Sequence, residues 1–272
     1  MNAPVHAASV PRVEPSTLDA LARLARAAGD VILEVYARDF EVQTKGDDSP
    51  VTEADARAEA VILRGLAGLP GFEGWPVVAE EAVAAGQVPT VGRGFWLVDP
   101  LDGTREFVSR NGEFTVNIAW IVDGEPQAGV VWAPVLQRLW AGASGPQAVA
   151  WSESGSPALR RAIAVRPCPE RPVVAASRSH GDPAALRAHV QARWPGVEAV
   201  DWREIGSSLK FGLLAEGEAD FYPRLSRTME WDTAAGHAVL RAAGGRVCTR
   251  DGAELRYGKP GFENPAFEAW GG

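Results

Sequence analysis

Residues 95–107, FWLVDPLDGTREF, set two aspartates three positions apart, Asp99 and Asp102, at the end of an apolar run and directly before Gly103 and Thr104. A carboxylate buried at such a place is costly unless a cation or hydrogen bonds compensate it. The pair therefore points to a metal site. The Gly-Thr step can turn the chain into a helix whose free N–H groups face an anion. A cation beside an anion is the arrangement that phosphate chemistry needs. Taken alone, the spacing is as much that of a capped loop.

Other acidic groups stand at element ends: Asp55, the Glu80-Glu81 pair and Asp232. Hard cations such as Mg²⁺ take oxygen ligands and retain water. A two-metal site needs bridging carboxylates to hold ions ~3.5–4 Å apart. Asp99 and Asp102 can reach one ion, with the Leu101 carbonyl as a further ligand. Pro100 restricts Asp99 toward extended geometry, which fixes the turn.

Elements must position these groups. Ser16 or Thr17 caps an expected helix over 17–38, where Leu18, Leu21, Leu24, Ala25, Ala28, Ile32 and Val35 recur at helical spacing. A second helix is expected from Thr52 or Glu53 to Leu66, and Thr52 with Asp55 resembles a capping box. Asp55 thus has a purely structural reading beside a chemical one. VVAEE reads as a strand ending in Glu80 and Glu81, followed by strands at 95–98, 114–122, 127–133 and 138–141, with Asp123-Gly124 a hairpin turn. This succession predicts an antiparallel sheet flanked by the two helices. The Gly-, Ser- and Pro-rich segment 142–158 reads as a domain junction. Beyond it strands at 172–176, 197–201, 219–222 and a last one at 245–248 alternate with helices at 182–194, 206–216 and 231–243, an α/β pattern. The expected organisation is a loose tail over 1–15, an α+β metal-binding half over 16–150 and an α/β substrate-specificity half over 151–272.

The chain has 272 residues, 46% hydrophobic and 23% charged, which suits one large or two moderate globular units. Its formal charge of −8 argues against a binder of nucleic-acid polymers. Bound cations can still reverse the local sign for a polyanionic small molecule. Cys168 and Cys248 are too few and too far apart for a disulfide framework or a zinc knuckle, so a reducing cytoplasm fits. The first residues, MNAPVHAASVPRVEP, lack a signal-peptide pattern, and no apolar run approaches the ~20 residues of a transmembrane segment. The location expected is cytoplasmic, with a peripheral membrane contact left open.

The runs VVAEE (77–81), WLVDPLDGT (96–104) and EWDTAAGHAVLRAAGG (230–245) together resemble the inositol monophosphatase superfamily of Mg²⁺-dependent, lithium-sensitive phosphatases. They occur in the family's order over nearly the whole chain. SPVTEAD (49–55), DGTREFVSRNGEFTVNIA (102–119), ASRSH (176–180) and GSSLKFGLLAEGEADFYPR (206–224) resemble its CysQ-type branch, the 3′(2′),5′-bisphosphate nucleotidases. The resemblance implies a layered αβαβα sugar-phosphatase fold. It also implies removal of the 3′-phosphate from 3′-phosphoadenosine 5′-phosphate to give AMP, with the sulfated analogue as a second substrate, and a setting in sulfur assimilation. Carried over, it makes Glu80, Asp99, Asp102, Asp232 and the Leu101 carbonyl ligands of two or three Mg²⁺, one replaceable by inhibitory Li⁺. Asp55 and Thr104 would orient the attacking water, and the N–H groups of Gly103 and Thr104 would hold the phosphate.

Substrate contacts are expected from the second half. Ser207, Ser208 and Lys210 open a helix suited to a second phosphate, although serine capping and a surface lysine explain them equally. Tyr222 can lie against a base or ribose and Arg224 can clamp a phosphate, or simply end a strand. Ser177, Arg178, Ser179 and His180 follow a strand where α/β sheets present ligand crevices, or form a turn before a cap at Asp182. Lys45 and Asp48 belong to a loop that either recruits a weaker metal or is a plain turn. His237 reads as a packed or surface side chain, and Trp96 and Trp231 as walls of the site. Arg227 departs from the Gly-Pro turn of close relatives and puts the pocket's shape in doubt. An inositol or sugar bisphosphate phosphatase of the same fold is the nearest rival reading, and a non-catalytic nucleotide- or metal-binding regulator is a second. A dehalogenase-type phosphatase would need aspartates two apart. Monomer and homodimer are both compatible with the sequence.

Overall fold

The computed structural model describes residues 10–44, 50–146, 148–178, 181–195 and 200–272. Residues 1–9, most of the expected tail, lie outside these, as do Lys45, Asp48, Ser179 and His180.

Helix α1 (Pro15–Tyr36) starts at a proline, so Glu14 is its N-cap and neither Ser16 nor Thr17 caps it. Proline at the first helical position needs no N–H partner, which moves the start ahead of the expected serine. A short pair, β1 (Gln43–Thr44) with β2 (Pro50–Val51), leads to α2 (Glu53–Ala67), capped by Thr52 in the capping box expected with Asp55. β3 (Val77–Ala79) stops short of the acidic pair, and Glu80 and Glu81 instead open α3 (Glu80–Ala84). Then come β4 (Gly94–Asp102), α4 (Thr104–Val108), β5 (Thr115–Val122), β6 (Glu125–Ala133), β7 (Arg138–Ala143), β8 (Val149–Ser154) and β9 (Leu159–Ala162).

β3 to β9 form one seven-stranded sheet in sequence order. It is mixed, which corrects the antiparallel expectation: β3 runs parallel to β4 because α3 lies on the crossover between them. The segment read as a junction contributes β8 to this sheet, so the boundary expected at 150/151 falls inside a strand. β4 and β5 are apolar over most of their length because both faces are covered. Trp96, Val98, Val116, Ile118 and Trp120 pack toward α1 and α2, while Phe95, Leu97, Ala119 and Ile121 face the other way.

A five-stranded sheet follows, in the order β11-β10-β12-β16-β14, from β10 (Val173–Ser177), β11 (Asp201–Ile205), β12 (Phe221–Arg224), β14 (Arg246–Thr249) and β16 (Phe267–Trp270). The strand expected at 197–201 lies mostly outside the described residues, and β11 begins at its last position, Asp201. β14 is not the last strand: β16 inserts between it and β12, antiparallel to both. A small pair joins β13 (Thr228–Met229) to β15 (Glu263–Asn264). Helices α6 (Leu209–Ala215) and α7 (Glu230–Ala242) lie between the sheets, and α5 (Pro183–Arg193), capped by Asp182, covers the outer face of the smaller one. The layers are α1/α2, large sheet, α6/α7, small sheet, α5, as the αβαβα expectation requires. Among the described residues no helix is long and apolar enough to cross a membrane.

Helix α7 sits unusually close to the large sheet. A Cβ on Gly129 would stand 2.5 Å from the Ala235 carbonyl oxygen and 2.8 Å from its Cα. One on Gly142 would stand 2.8 Å from the Val239 Cα. Glycine is therefore required where strand and helix backbones meet.

Candidate functional site

A cavity of about 580 Å³ is lined by Glu80, Asp99, Leu101, Asp102, Gly103, Thr104, Ser177, Ser207, Ser208, Lys210, Tyr222, Arg224, Arg227, Trp231 and Asp232. Four of its acidic groups come from three places, Glu80 from the first residue of α3, Asp99 and Asp102 from the end of β4, and Asp232 from the first turn of α7; Glu106 of α4 lines it as well. Between Asp99 and Asp102 the β4–β5 register shifts, so the two carboxylates leave the regular ladder.

Protein hydrogen bonds aim these carboxylates. Asp99 Oδ1 accepts from the Leu101 N–H at 3.0 Å, and Asp232 Oδ2 accepts from the Met229 N–H at 2.8 Å. Asp102 Oδ2 accepts from Ser208 N at 2.6 Å, Ser208 Oγ at 2.7 Å and Ser207 Oγ at 2.7 Å. Ser208 Oγ also lies 2.7 Å from the Asp232 carbonyl oxygen and accepts from Asn117 Nδ2 at 2.9 Å. One hydroxyl therefore spans two acidic segments from opposite ends of the chain. Ser207 takes up a left-handed backbone, φ 52°, to make this turn. In each of Asp102 and Asp232 these bonds engage Oδ2, so Oδ1 is the oxygen available to a cation.

Electrostatics report the same crowding. Burial raises Asp99 well above the usual carboxylate range, and the charges of Glu80, Asp102 and Asp232 raise it further. Asp232 is raised by burial, then by Asp102 and Glu80. Among the described residues no three such side chains are closed into a ready-made ion cage. The donor set, oxygen throughout, nonetheless suits a hard cation, and like charges that burial disfavours are what a cation would relieve.

Asp55 serves both of its readings at once. Oδ2 accepts from Thr52 N at 2.8 Å and Thr52 Oγ1 at 2.9 Å, closing the cap, while Oδ1 lies 3.3 Å from Thr104 Oγ1. Thr104 Oγ1 is also 3.3 Å from the Leu101 carbonyl oxygen. Burial pushes Asp55 up to about 7, the Thr52 N–H opposes this, and the Glu81 and Glu80 charges add to it. Gly103 holds φ 92°, the left-handed turn that starts α4 at Thr104.

Not every expected contact reaches the cavity. Arg178 does not line it; both its Nε and Nη2 bind Glu113, whose carboxylate also accepts from Gly206 N. Burial opposes the charge on Glu113, yet Arg178 and Gly206 hold it below the usual range. Arg178 thereby braces the turn that carries Ser207 and Ser208. Lys210 is buried, with Nζ bonded to the Ile205 and Ser207 carbonyls, and burial pushes it down to about 8. Trp96 packs against Phe72 and Trp120 in the core and is no wall of the site, whereas Trp231 is. His237 is buried with Nδ1 on the Tyr257 hydroxyl, and burial lowers it to about 3. Sequence reasoning missed Glu113, Asn117 and Thr115. Only the polar interruptions of an otherwise apolar strand, TVN, could have marked the last two.

The whole fold matches known proteins. The model of the inositol monophosphatase family matches residues 14–270. The 3′(2′),5′-bisphosphate nucleotidase CysQ of Escherichia coli O157:H7 is 46% identical over 254 residues, 92% of this chain and 98% of that protein. Its Salmonella typhimurium counterpart is 47% identical over the same shares. The crystal structure of CysQ from Bacteroides thetaiotaomicron superposes with a TM-score of 0.78 at 36% identity, covering 94% of this chain and 97% of that one. Family model, relatives and fold agree over nearly the whole length, and the chain belongs to the inositol monophosphatase family.

Proposed function

We propose that this chain is a Mg²⁺-dependent 3′(2′),5′-bisphosphate nucleotidase that hydrolyses 3′-phosphoadenosine 5′-phosphate to AMP and phosphate, and acts on the sulfated analogue as well. One observation carries the reading: Asp99, Asp102, Asp232 and Glu80 share a cavity with Thr104, whose hydroxyl lies 3.3 Å from Asp55 Oδ1 behind it, in a chain about 46% identical to proteins of that name. The four carboxylates and the Leu101 carbonyl would hold two or three Mg²⁺. When bound, Mg²⁺ neutralises phosphoryl oxygens and eases deprotonation of water.

The chain's own residues set the geometry. Asp55 accepts a proton or hydrogen bond from the water, and the Thr104 hydroxyl, held between Asp55 and Leu101, fixes its direction. Attack in line with the 3′-oxygen then breaks the P–O bond and leaves AMP, with positioning and electrostatics as the main catalytic contributions. Ser207 and Ser208 keep Asp102 oriented from behind. The two free cysteines agree with the cytoplasmic reading.

A substrate panel tests this. Phosphate release from 3′-phosphoadenosine 5′-phosphate is expected to exceed that from inositol 1-phosphate and fructose 1,6-bisphosphate by at least about tenfold, to vanish in EDTA and to fall with Li⁺. A tenfold preference for either of the other two substrates would overturn it. The Ser208→Ala variant is expected to raise the Mg²⁺ concentration for half-activity about 10–100-fold, the usual cost of losing a group that orients a ligand. An unchanged Mg²⁺ titration would show that Asp102 needs no such support.

A further inference from the structure

Helix α3 carries Glu80 but cannot cap itself. It is five residues long, and its N-cap position is Ala79, whose side chain accepts no hydrogen bond. The free N–H groups of a helix start need acceptors, and a helix this short has too few internal bonds to hold its own direction. The acceptor comes from another element. Glu59 of α2 is buried, and its Oε2 accepts from the Glu81 N–H at 2.8 Å, with the Ala82 N–H on the same carboxylate. The cap of α3 is therefore supplied by α2, twenty-two residues earlier in the chain.

Asp55 stands four residues before Glu59, so the two carboxylates share one face of α2. Asp55 reaches Thr104 at the start of α4, and Glu59 reaches the start of α3. One rigid element thus touches the first turns of both short helices that frame the acidic cavity. Burial raises Glu59 above the usual carboxylate range and the charges of Glu81 and Glu80 raise it further, while the Glu81 and Ala82 N–H groups oppose this. An acid set among like charges is accounted for here by the N–H groups it accepts from.

We propose that Glu59 is a positioning residue for the metal site: by capping α3 it fixes the direction in which Glu80 is presented, and through α2 it sets the spacing between Glu80 and the Asp55–Thr104 pair. The role rests on the proposed function, which makes Glu80 a Mg²⁺ ligand. It depends on the reach of the side chain and not on its charge, because α3 needs an acceptor for its N–H groups. Glutamine keeps an acceptor at the same reach and removes a charge that burial disfavours. Aspartate keeps the charge but withdraws the acceptor by one C–C bond, about 1.5 Å, which takes a 2.8 Å contact out of hydrogen-bonding range.

Calorimetric titration of the metal-free full chain with Mg²⁺ alone tests this in wild type, Glu59→Gln and Glu59→Asp, with the metal-free melting temperature measured beside it. Glu59→Asp is expected to weaken Mg²⁺ binding about 10–100-fold, the usual cost of losing a group that orients a ligand, and Glu59→Gln by less than about fivefold. At saturating Mg²⁺ the kcat of both variants should recover to within about threefold of wild type, since Glu80 and Asp55 are unchanged. Equal weakening by both variants, or the opposite order, would make the charge of Glu59 the cause and overturn the assignment. So would a lowered melting temperature in Glu59→Asp with unchanged Mg²⁺ binding, the mark of a purely structural cap, and so would loss of folding in both variants. The expected order in a protein that releases no phosphate from 3′-phosphoadenosine 5′-phosphate sustains the positioning role while refuting the nucleotide reading. Wild type that takes up no Mg²⁺ overturns both.

Discussion

The Asp55→Asn variant is expected to lose about 10²–10⁴-fold in kcat while its metal-free form melts at a higher temperature than wild type at pH 8. The two effects have one cause. Burial lifts Asp55 from 3.8 to about 7, so keeping it ionised costs the folded state. The sign follows from linkage: a carboxyl group with a raised folded pKa favours folding below its unfolded value and loses that contribution as pH rises through the folded one. The window is pH 3.8 to about 7, and the ceiling is roughly 4 kcal/mol at pH 8. Asparagine keeps an acceptor for Thr52 and so preserves the cap. Thr52→Ala supplies the contrast, since losing the cap costs about 1 kcal/mol but leaves a carboxylate beside Thr104. Melts in EDTA at pH 5 and 8, together with phosphate-release rates, check both. Near-normal turnover in Asp55→Asn, or a lower melting temperature at pH 8, would leave Asp55 as a cap alone.

That double role explains why the sequence left Asp55 open. The capping spacing is local and readable, whereas the meeting with Thr104, forty-nine residues on, depends on α2 packing against β4. The Asp99–Asp102 pair is legible in the sequence because it sits in a run whose residue types are unusual for its setting. Two costly aspartates at the end of a strand buried on both faces stand out in WLVDPLDGT. The serines were not legible in the same way. Ser207 and Ser208 read either as facing a phosphate or as simple helix caps; both line the cavity, and their bonds to Asp102 arise because Glu113 and Arg178 fix the turn between β11 and α6. Those partners are sixty-five residues apart, beyond any local pattern. β8 was hidden by its glycine- and serine-rich surroundings, and β16 by its brevity: four residues give period-two alternation little to show. The parallel β3–β4 pairing follows from α3, which begins at the very glutamates that were read as a strand end.

Gly129→Ala is expected to destabilise the protein by about 1–3 kcal/mol and to raise the Mg²⁺ concentration needed for half-activity, although residue 129 is no part of the cavity lining. The added Cβ meets the backbone of Ala235, at 2.5 Å from its oxygen and 2.8 Å from its Cα. Backbone atoms have no rotamer to retreat into, so α7 as a whole must lift from β6. Asp232 sits in the first turn of that helix, one turn before Ala235, and its carbonyl is the one that Ser208 holds. Lifting α7 therefore shifts one acidic group against Asp99 and Asp102, which β4 keeps in place. Gly68→Ala is the control: its Cβ would meet nothing closer than 3.8 Å, and both stability and Mg²⁺ response should hold. A fall in melting temperature of about 2–4 °C per kcal/mol is the expected scale for a chain of this length. If Gly129→Ala is less stable yet titrates with Mg²⁺ like wild type, the helix seat does not register Asp232. In that case the Met229 and Ser208 hydrogen bonds alone fix its position, and Ser208→Ala combined with Gly129→Ala should cost no more in Mg²⁺ affinity than Ser208→Ala by itself.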